Sequence, residues 1–255
     1  MKIESYLERI GIDERPAVDI NSLAKLQNQH LLNVPFENLD IHWEIPIELN
    51  IEKFYDKIVS NKRGGFCYEL NGLFGWLLAE LGYEVEMISA RGFNSQRGEF
   101  GPEFDHMALI VRLDRDYLVD VGFGDSFRVP IELPDGQVED ISGVYQIARS
   151  DGHYLVEREN DHHGEPDWRP EYRFSLKSRD LSEFAEMCQY HQTSPNSHFT
   201  QQKICSIAKP WGRLTLSESA LIRTERDNRV EERVESLAQW EALLLEHFGI
   251  KSPEL

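Results

Sequence analysis

The feature that most constrains the fold is the apolar stripe Leu70, Leu73, Phe74, Leu77, Leu78 and Leu81, which ends at Gly82. Spacings of three and four residues predict a helix with a wide buried face, and a glycine past the last apolar position is a common helix stop. The approach to this helix is distinctive. Arg63-Gly64-Gly65-Phe66-Cys67-Tyr68-Glu69-Leu70-Asn71 places two glycines and a cysteine directly before the stripe. Cys67 therefore belongs in the first turn, where unpaired N–H groups and the helix dipole favour an anion and lower the pKa of a thiol. The glycines permit a tight turn and leave room for a reactant. A lone cysteine also reads as a small buried hydrophobe, so a base is needed to make this one a nucleophile.

Thiol nucleophiles usually take their base from a histidine that a carboxylate orients. Among nine histidines, His106 stands at the entrance of the core-like strand Met107–Val111. Asp120 lies inside Leu118-Val119-Asp120-Val121-Gly122-Phe123-Gly124. A charge in such an apolar run is costly unless paired, and His106 is the natural partner; backbone N–H groups at the strand end are the alternative. In a hairpin turning at Asp114-Arg115-Asp116, with Leu113 opposite Tyr117, the two side chains share a face. That register puts Asp120 opposite Ile110, roughly 13 Å along the strand from His106. A direct hydrogen bond then requires another register, a bulge or strong twist.

Around this centre, Ile3, Tyr6, Leu7 and Ile10 read as one helix. Leu23, Leu26 and Leu31 read as a second, capped by Asn21, and Ile51, Phe54, Tyr55 and Ile58 as a third. Val34–Leu39 reads as a loop exposing Phe36. After Gly82 the pattern turns to short strands at Val85–Ser89, Met107–Leu113, Tyr117–Val121, Val144–Ile147 and Tyr154–Val156. From Glu218 the tail reads as charged and helical. Val234, Leu237, Leu244, Leu245 and Phe248 face inward on a last helix, and the sign-alternating run Arg223–Arg233 forms a solvated helix face. Helices, then strands, then a mixed tail predict an α+β protein.

The net charge of -18, from 27 basic and 45 acidic residues, disfavours nucleic acid and anionic membranes as partners. A mean hydropathy of -0.49 and the lack of an apolar run near 18 residues argue against a membrane span. Glu4, Glu8 and Arg9 interrupt any signal-like core at the start, which leads to the expectation of a cytoplasmic protein. Three cysteines, Cys67, Cys188 and Cys205, are too few for a disulfide framework and are expected to be reduced. Cys188, His191, His198 and Cys205 form a string of ligand-type residues, spaced more loosely than structural zinc sites, and no metal is expected. Gly64-Gly65 lacks the Lys-Ser or Lys-Thr of a phosphate loop. His162-His163 reads as an exposed turn, and Trp168 and Trp211 as core or interface aromatics.

Five blocks then stand in order: VPFENL at Val34–Leu39, RGGFCYELN at Arg63–Asn71, HMALIV at His106–Val111, VDVGFG at Val119–Gly124 and SPNSHFT at Ser194–Thr200. Together they closely resemble the arylamine N-acetyltransferases. The resemblance implies an N-terminal helical bundle (1–83) carrying Cys67, a central antiparallel β-barrel (84–190) carrying His106 and Asp120, and a C-terminal α/β lid (191–255), around a cysteine-protease-like Cys-His-Asp core. It implies a ping-pong transfer from acetyl-CoA, through a Cys67 thioester, to an arylamine, arylhydrazine or N-arylhydroxylamine. His106 would be base and then acid, and Asp120 its orienter. Phe36, Phe104 and Phe123 would wall the acceptor, Gly124 would leave space beside it, and Pro102 and Glu103 would meet coenzyme A, although Glu103 has the wrong charge for its phosphates. Asp125 departs from the small residue that many bacterial members carry. A Cys-His-Asp hydrolase or transglutaminase-like acyl transferase uses the same residue order and stays open as the alternative, with a catalytically inactive scaffold as a third reading.

Overall fold

The computed structural model describes residues 1–160, 167–226 and 228–253; the histidine pair at 162–163 lies outside them. The chain begins with α1 (Ile3–Arg9), α2 (Ile20–Asn33), the short strand β1 (Phe36–Glu37), α3 (Leu39–His42) and α4 (Ile51–Tyr55), which runs into a π turn at Asp56–Ser60. The cap of α2 is Asp19 rather than Asn21. Asp19 has the extended backbone of a cap, and its carboxylate accepts the Ser22 N–H at 2.8 Å. The next helix, α5 (Cys67–Leu81), is the hub of the bundle. Only Trp76, Ala79 and Glu80 escape full burial, so the expected stripe covers nearly the whole circumference. Gly82, at φ +106°, ends α5 in the left-handed region.

The barrel follows as β2 (Glu84–Asn94), β3 (Glu99–Phe100), β4 (His106–Arg112), β5 (Asp116–Val119), β6 (Ile131–Glu132), β7 (Gln137–Asp140), β8 (Gly143–Ser150), β9 (His153–Asn160) and β10 (Asp167–Ser178). Its antiparallel order is β6-β5-β4-β2-β10-β9-β8-β7, with β3 paired to β2. A short turn joins the two end strands, and the Ile147 N–H reaches the Gly136 carbonyl at 2.9 Å, so the sheet curls back almost onto itself. β4 is buried on both faces. Ala108 and Ile110 fill the barrel, while Met107, Leu109 and Val111 pack with α5. This explains why His106–Val111 reads as an unbroken apolar run rather than an alternating one.

The last third holds a 3₁₀ turn at Leu181–Phe184, α6 (Ala185–Thr193), α7 (His198–Gln201), β11 (Ile204–Lys209), β12 (Gly212–Ser217), β13 (Ala220–Glu225), β14 (Asn228–Arg233) and α8 (Leu237–Phe248). Its sheet runs β1-β11-β12-β13-β14, so the N-terminal strand β1 forms one edge, with Phe36 opposite Ser206. The Val34–Leu39 segment is thus tied down, and Phe36 is only 9% exposed. The expected division at 83/84 falls between α5 and β2, and that at 190/191 falls inside α6.

The tail corrects two expectations. Arg223–Arg233 is an antiparallel hairpin, not a helix face. Its alternating signs follow the strand period of two, and Arg223 pairs with Glu225, as Arg229 does with Glu231, along one strand face. In α8 the inward positions are Trp240, Leu244 and Phe248, whereas Leu237 and Leu245 are exposed. Trp168 and Trp211 are half-buried. No described helix is long and apolar enough to cross a membrane.

Candidate active site

Cys67 is the first residue of α5 and only 3% exposed. Two close approaches shape the turn before it. A Cβ on Gly64 would come within 2.0 Å of the Pro35 carbonyl oxygen, and Phe66 N–H donates to Glu69 Oε2 at 3.1 Å. Glu69 in turn meets Lys57 at 2.9 Å, and Lys57 and Arg63 also hold Asp40 and Glu37. A buried ionic cluster therefore anchors the start of the helix. The Met107 N–H is directed at the Cys67 sulfur and favours the thiolate, but burial, then Asp105 and Asp120, push the thiol well above its ordinary value. The lowering expected from the helix N-terminus does not survive that balance. Cys67 rests as a thiol and needs a base at hand to ionise.

His106, the residue before Met107, is 4% exposed, and its Nε2 lies 2.6 Å from Asp120 Oδ2. The hairpin register differs from the expected one by two residues: Val111 faces Tyr117 and Leu109 faces Val119. The turn lies one residue earlier, at Leu113-Asp114-Arg115, with Leu113 N–H donating to the Arg115 carbonyl at 2.9 Å. This shift keeps both side chains on one face and carries Asp120, just past the end of β5, nearer to His106 along the ladder. Asp120 Oδ1 accepts from Asn71 Nδ2 at 2.9 Å and from Gly122 N–H at 2.8 Å. Burial would raise this carboxyl, but His106, Asn71 and Gly122 hold it below its usual value. With Nε2 committed to Asp120, Nδ1 is the ring nitrogen left to take a thiol proton.

Aromatic rings surround the pair. Phe123 packs on His106 at 5.1 Å and on Tyr172 at 5.0 Å, and Tyr172 packs on His106 at 5.2 Å. Phe36 lies next to Gly124 and 6.1 Å from Phe199. Phe36, Phe123 and Gly124 thus gather at one place. The Phe104 ring packs on Phe184 at 5.1 Å under the Arg179 guanidinium. Sequence reasoning missed Asn71, Tyr172 and Phe199. Asn71 was signalled by its place one helical turn after Cys67; Tyr172 had no local signal.

Pro102 is exposed, and Glu103 is paired with Arg91 at 2.9 Å and with Arg179 at 2.7 Å. Both arginines are thus neutralised locally by carboxylates, Glu183 also pairing with Arg179 at 3.1 Å. Asp125 bridges Arg158 at 3.1 Å and Arg213 at 3.0 Å, joining barrel to C-terminal sheet. Among the described residues, no group of three or more His, Cys, Asp or Glu side chains is placed to hold a metal ion. A concavity of about 660 Å³ lies on the far flank of the barrel, near Asp140, Arg158 and Arg226, and contains no nucleophile–base pair.

A family model described as N-acetyltransferase matches residues 19–253, so fold and model together define the class as an N-acetyltransferase. The arylamine N-acetyltransferase of Mycolicibacterium smegmatis is 34% identical over 264 residues, covering 100% of this chain and 94% of its own. Arylamine N-acetyltransferase 2 of Mus musculus is 32% identical over 230 residues, covering 83% and 79%. The solved arylamine N-acetyltransferase of Salmonella typhimurium superposes with a TM-score of 0.90 at 26% identity, covering 97% of this chain and 90% of its own. A Bacillus cereus arylamine N-acetyltransferase, described with a unique Cys-His-Glu catalytic triad, also gives 0.90, at 25% identity and 99% and 100% coverage. The chain belongs to the arylamine N-acetyltransferase family and is an acyltransferase.

Proposed function

We propose that Cys67 shuttles an acetyl group from acetyl-CoA to the nitrogen of an arylamine, arylhydrazine or N-arylhydroxylamine in two half-reactions, with His106 as proton carrier and Asp120 as its orienter. The observation that carries this reading is the buried His106–Asp120 contact of 2.6 Å beside a cysteine at a helix start. In the first half-reaction His106 takes the Cys67 proton and the thiolate attacks the acetyl carbonyl. The bond from that carbon to the coenzyme sulfur breaks, and the departing sulfur receives the proton from His106. In the second, the acceptor nitrogen attacks the Cys67 thioester, its proton passes through His106 to the Cys67 sulfur, and the acetyl amide leaves. Phe36 and Phe123 supply an apolar wall that suits an aromatic acceptor and keeps water from the thioester. In this reading residues 1–83 supply the nucleophile, 84–190 the base and 191–255 the cover.

Incubation with acetyl-CoA, without acceptor, should add about 42 Da to Cys67, one acetyl group in place of a hydrogen. The adduct should vanish when an arylamine is added. A protein that acetylates arylamines without ever carrying that adduct overturns the two-step reading.

A further inference from the structure

The two residues before His106 are held far more firmly than a connecting loop requires. Phe104 has φ +67°, a left-handed backbone that is strained for a non-glycine residue and persists only where the surroundings enforce it. Three elements enforce it here. Tyr68, the residue after Cys67 on α5, donates its hydroxyl to the Phe104 carbonyl at 2.6 Å. From β2, Ser89 Oγ accepts the Phe104 N–H at 2.8 Å, and the Gly92 N–H donates to Asp105 Oδ2 at 3.2 Å. From α6, His191 Nε2 reaches the Asp105 carbonyl at 3.3 Å, with Asp105 Oδ1 at 3.5 Å.

Side-chain chemistry fixes the protons in this last contact. A carbonyl only accepts, so His191 carries its hydrogen on Nε2. Burial lowers the pKa of His191, against the pull of Asp105, and keeps the ring neutral. Its Nδ1 is then a bare acceptor, 3.2 Å from the Ser197 hydroxyl. Ser197 Oγ itself caps α7 by accepting the Phe199 N–H at 3.3 Å. The result is a directed chain from Phe199 N–H through Ser197 and His191 to Asp105. The Asp105 carboxylate sits in a notch where a Cβ on Gly92 or Gly101 would come within 2.9 or 2.7 Å of Oδ2. Among the charged groups acting on Cys67, Asp105 opposes the thiolate more than Asp120 does.

We propose that His191, oriented by Ser197, is a positioning residue outside the Cys67–His106–Asp120 centre: together with the Asp105 carboxylate seated on the Gly92 N–H, it pins the backbone that carries His106. The proposal rests on the reading of Cys67 as nucleophile and His106 as base.

The test is the single-turnover rate of Cys67 acetylation by acetyl-CoA, read by mass on the full chain. His191→Leu should slow acetylation of Cys67 about tenfold, while His191→Gln, whose amide can still donate to the Asp105 carbonyl, should recover most of that rate. A His191→Leu protein as fast as the native one overturns the positioning role. His106→Asn separates the two levels. If it leaves alkylation of Cys67 by iodoacetamide untouched, the base assignment fails and takes the positioning role with it; if it slows alkylation while His191→Leu acetylates at the native rate, only the positioning role fails.

Discussion

Asn71 ties Asp120 to the helix that carries Cys67: its Nδ2 lies 2.9 Å from Asp120 Oδ1, and its Oδ1 accepts the Val121 N–H at 2.9 Å. Asn71 follows Cys67 by four residues, so one helix face presents both the nucleophile and the group that fixes the distant carboxylate. The same amide nitrogen also reaches the Met107 carbonyl at 2.6 Å. Bundle and barrel are thus locked together at the point where the reaction must be aligned.

Replacing Asn71 with Ala should leave Asp120 and the Val121 N–H short of partners and let His106 drift. We expect single-turnover acetylation of Cys67 to fall roughly ten- to hundredfold, the loss for a buried hydrogen bond to a charged group. A rate within a factor of two of the native protein would show that Asp120 is held adequately by Gly122 alone.

Gly122 lies where the two halves approach closely. A Cβ there would lie 2.6 Å from Asn71 Nδ2 and 2.8 Å from Cys67 Cα. The backbone at Cys67 cannot yield without moving α5, so Gly122→Ala should cost about 1–3 kcal/mol of stability by overpacking. Chemical denaturation should show a lower midpoint, and residual folded protein should acetylate slowly.

Glu69 predicts an unusual pH response. Burial pushes its carboxyl up to about 7 from 4.5, although Lys57 opposes the shift, because Lys57 is shared with Glu37 and Asp40. The folded state then holds a proton that the unfolded chain releases at lower pH. Stability contributed by this group is fully present below about pH 4.5 and is lost as pH rises through about 7, a change of order 3 kcal/mol. Glu69→Gln should flatten the fall in denaturation midpoint between pH 5 and 8. An identical slope in both proteins would remove Glu69 as its source.

The three cysteines should differ sharply in reactivity. Burial pushes Cys188 up to about 12 and Cys205 well above its ordinary value. Among the described residues, the Cys188 sulfur meets the Gln192 amide and the Ile47 carbonyl rather than a base. Cys67 is raised too, but His106 can take its proton. Alkylation at pH 7 should therefore modify Cys67 at least about tenfold faster than the others. Equal rates would argue against an activated thiol.

Much of this centre was legible from local pattern. The stripe from Leu70 to Leu81 and the stop at Gly82 announced α5, and Cys67 fell at its start because glycines preceded it. Asp120 stood out as a charge inside an apolar strand. Other features were not legible, for identifiable reasons. The Arg223–Arg233 run carries alternating charge that serves a helix or a hairpin equally, and only the pairing of β13 with β12 and β14 decides between them. Phe36 looked exposed in a short polar segment because its strand partner, β11, lies some 170 residues away.

The sequence by itself determined the helix bearing Cys67, the identity of its histidine and carboxylate partners, and the family to which these blocks point. Tertiary structure decided the rest: the two-residue shift in register that brings His106 to Asp120, the Asn71 bridge, and the balance of burial and charge that keeps Cys67 a thiol. Local spacing specifies which face a side chain occupies, but distance across a sheet and the cost of ionisation depend on what the rest of the chain packs against that face.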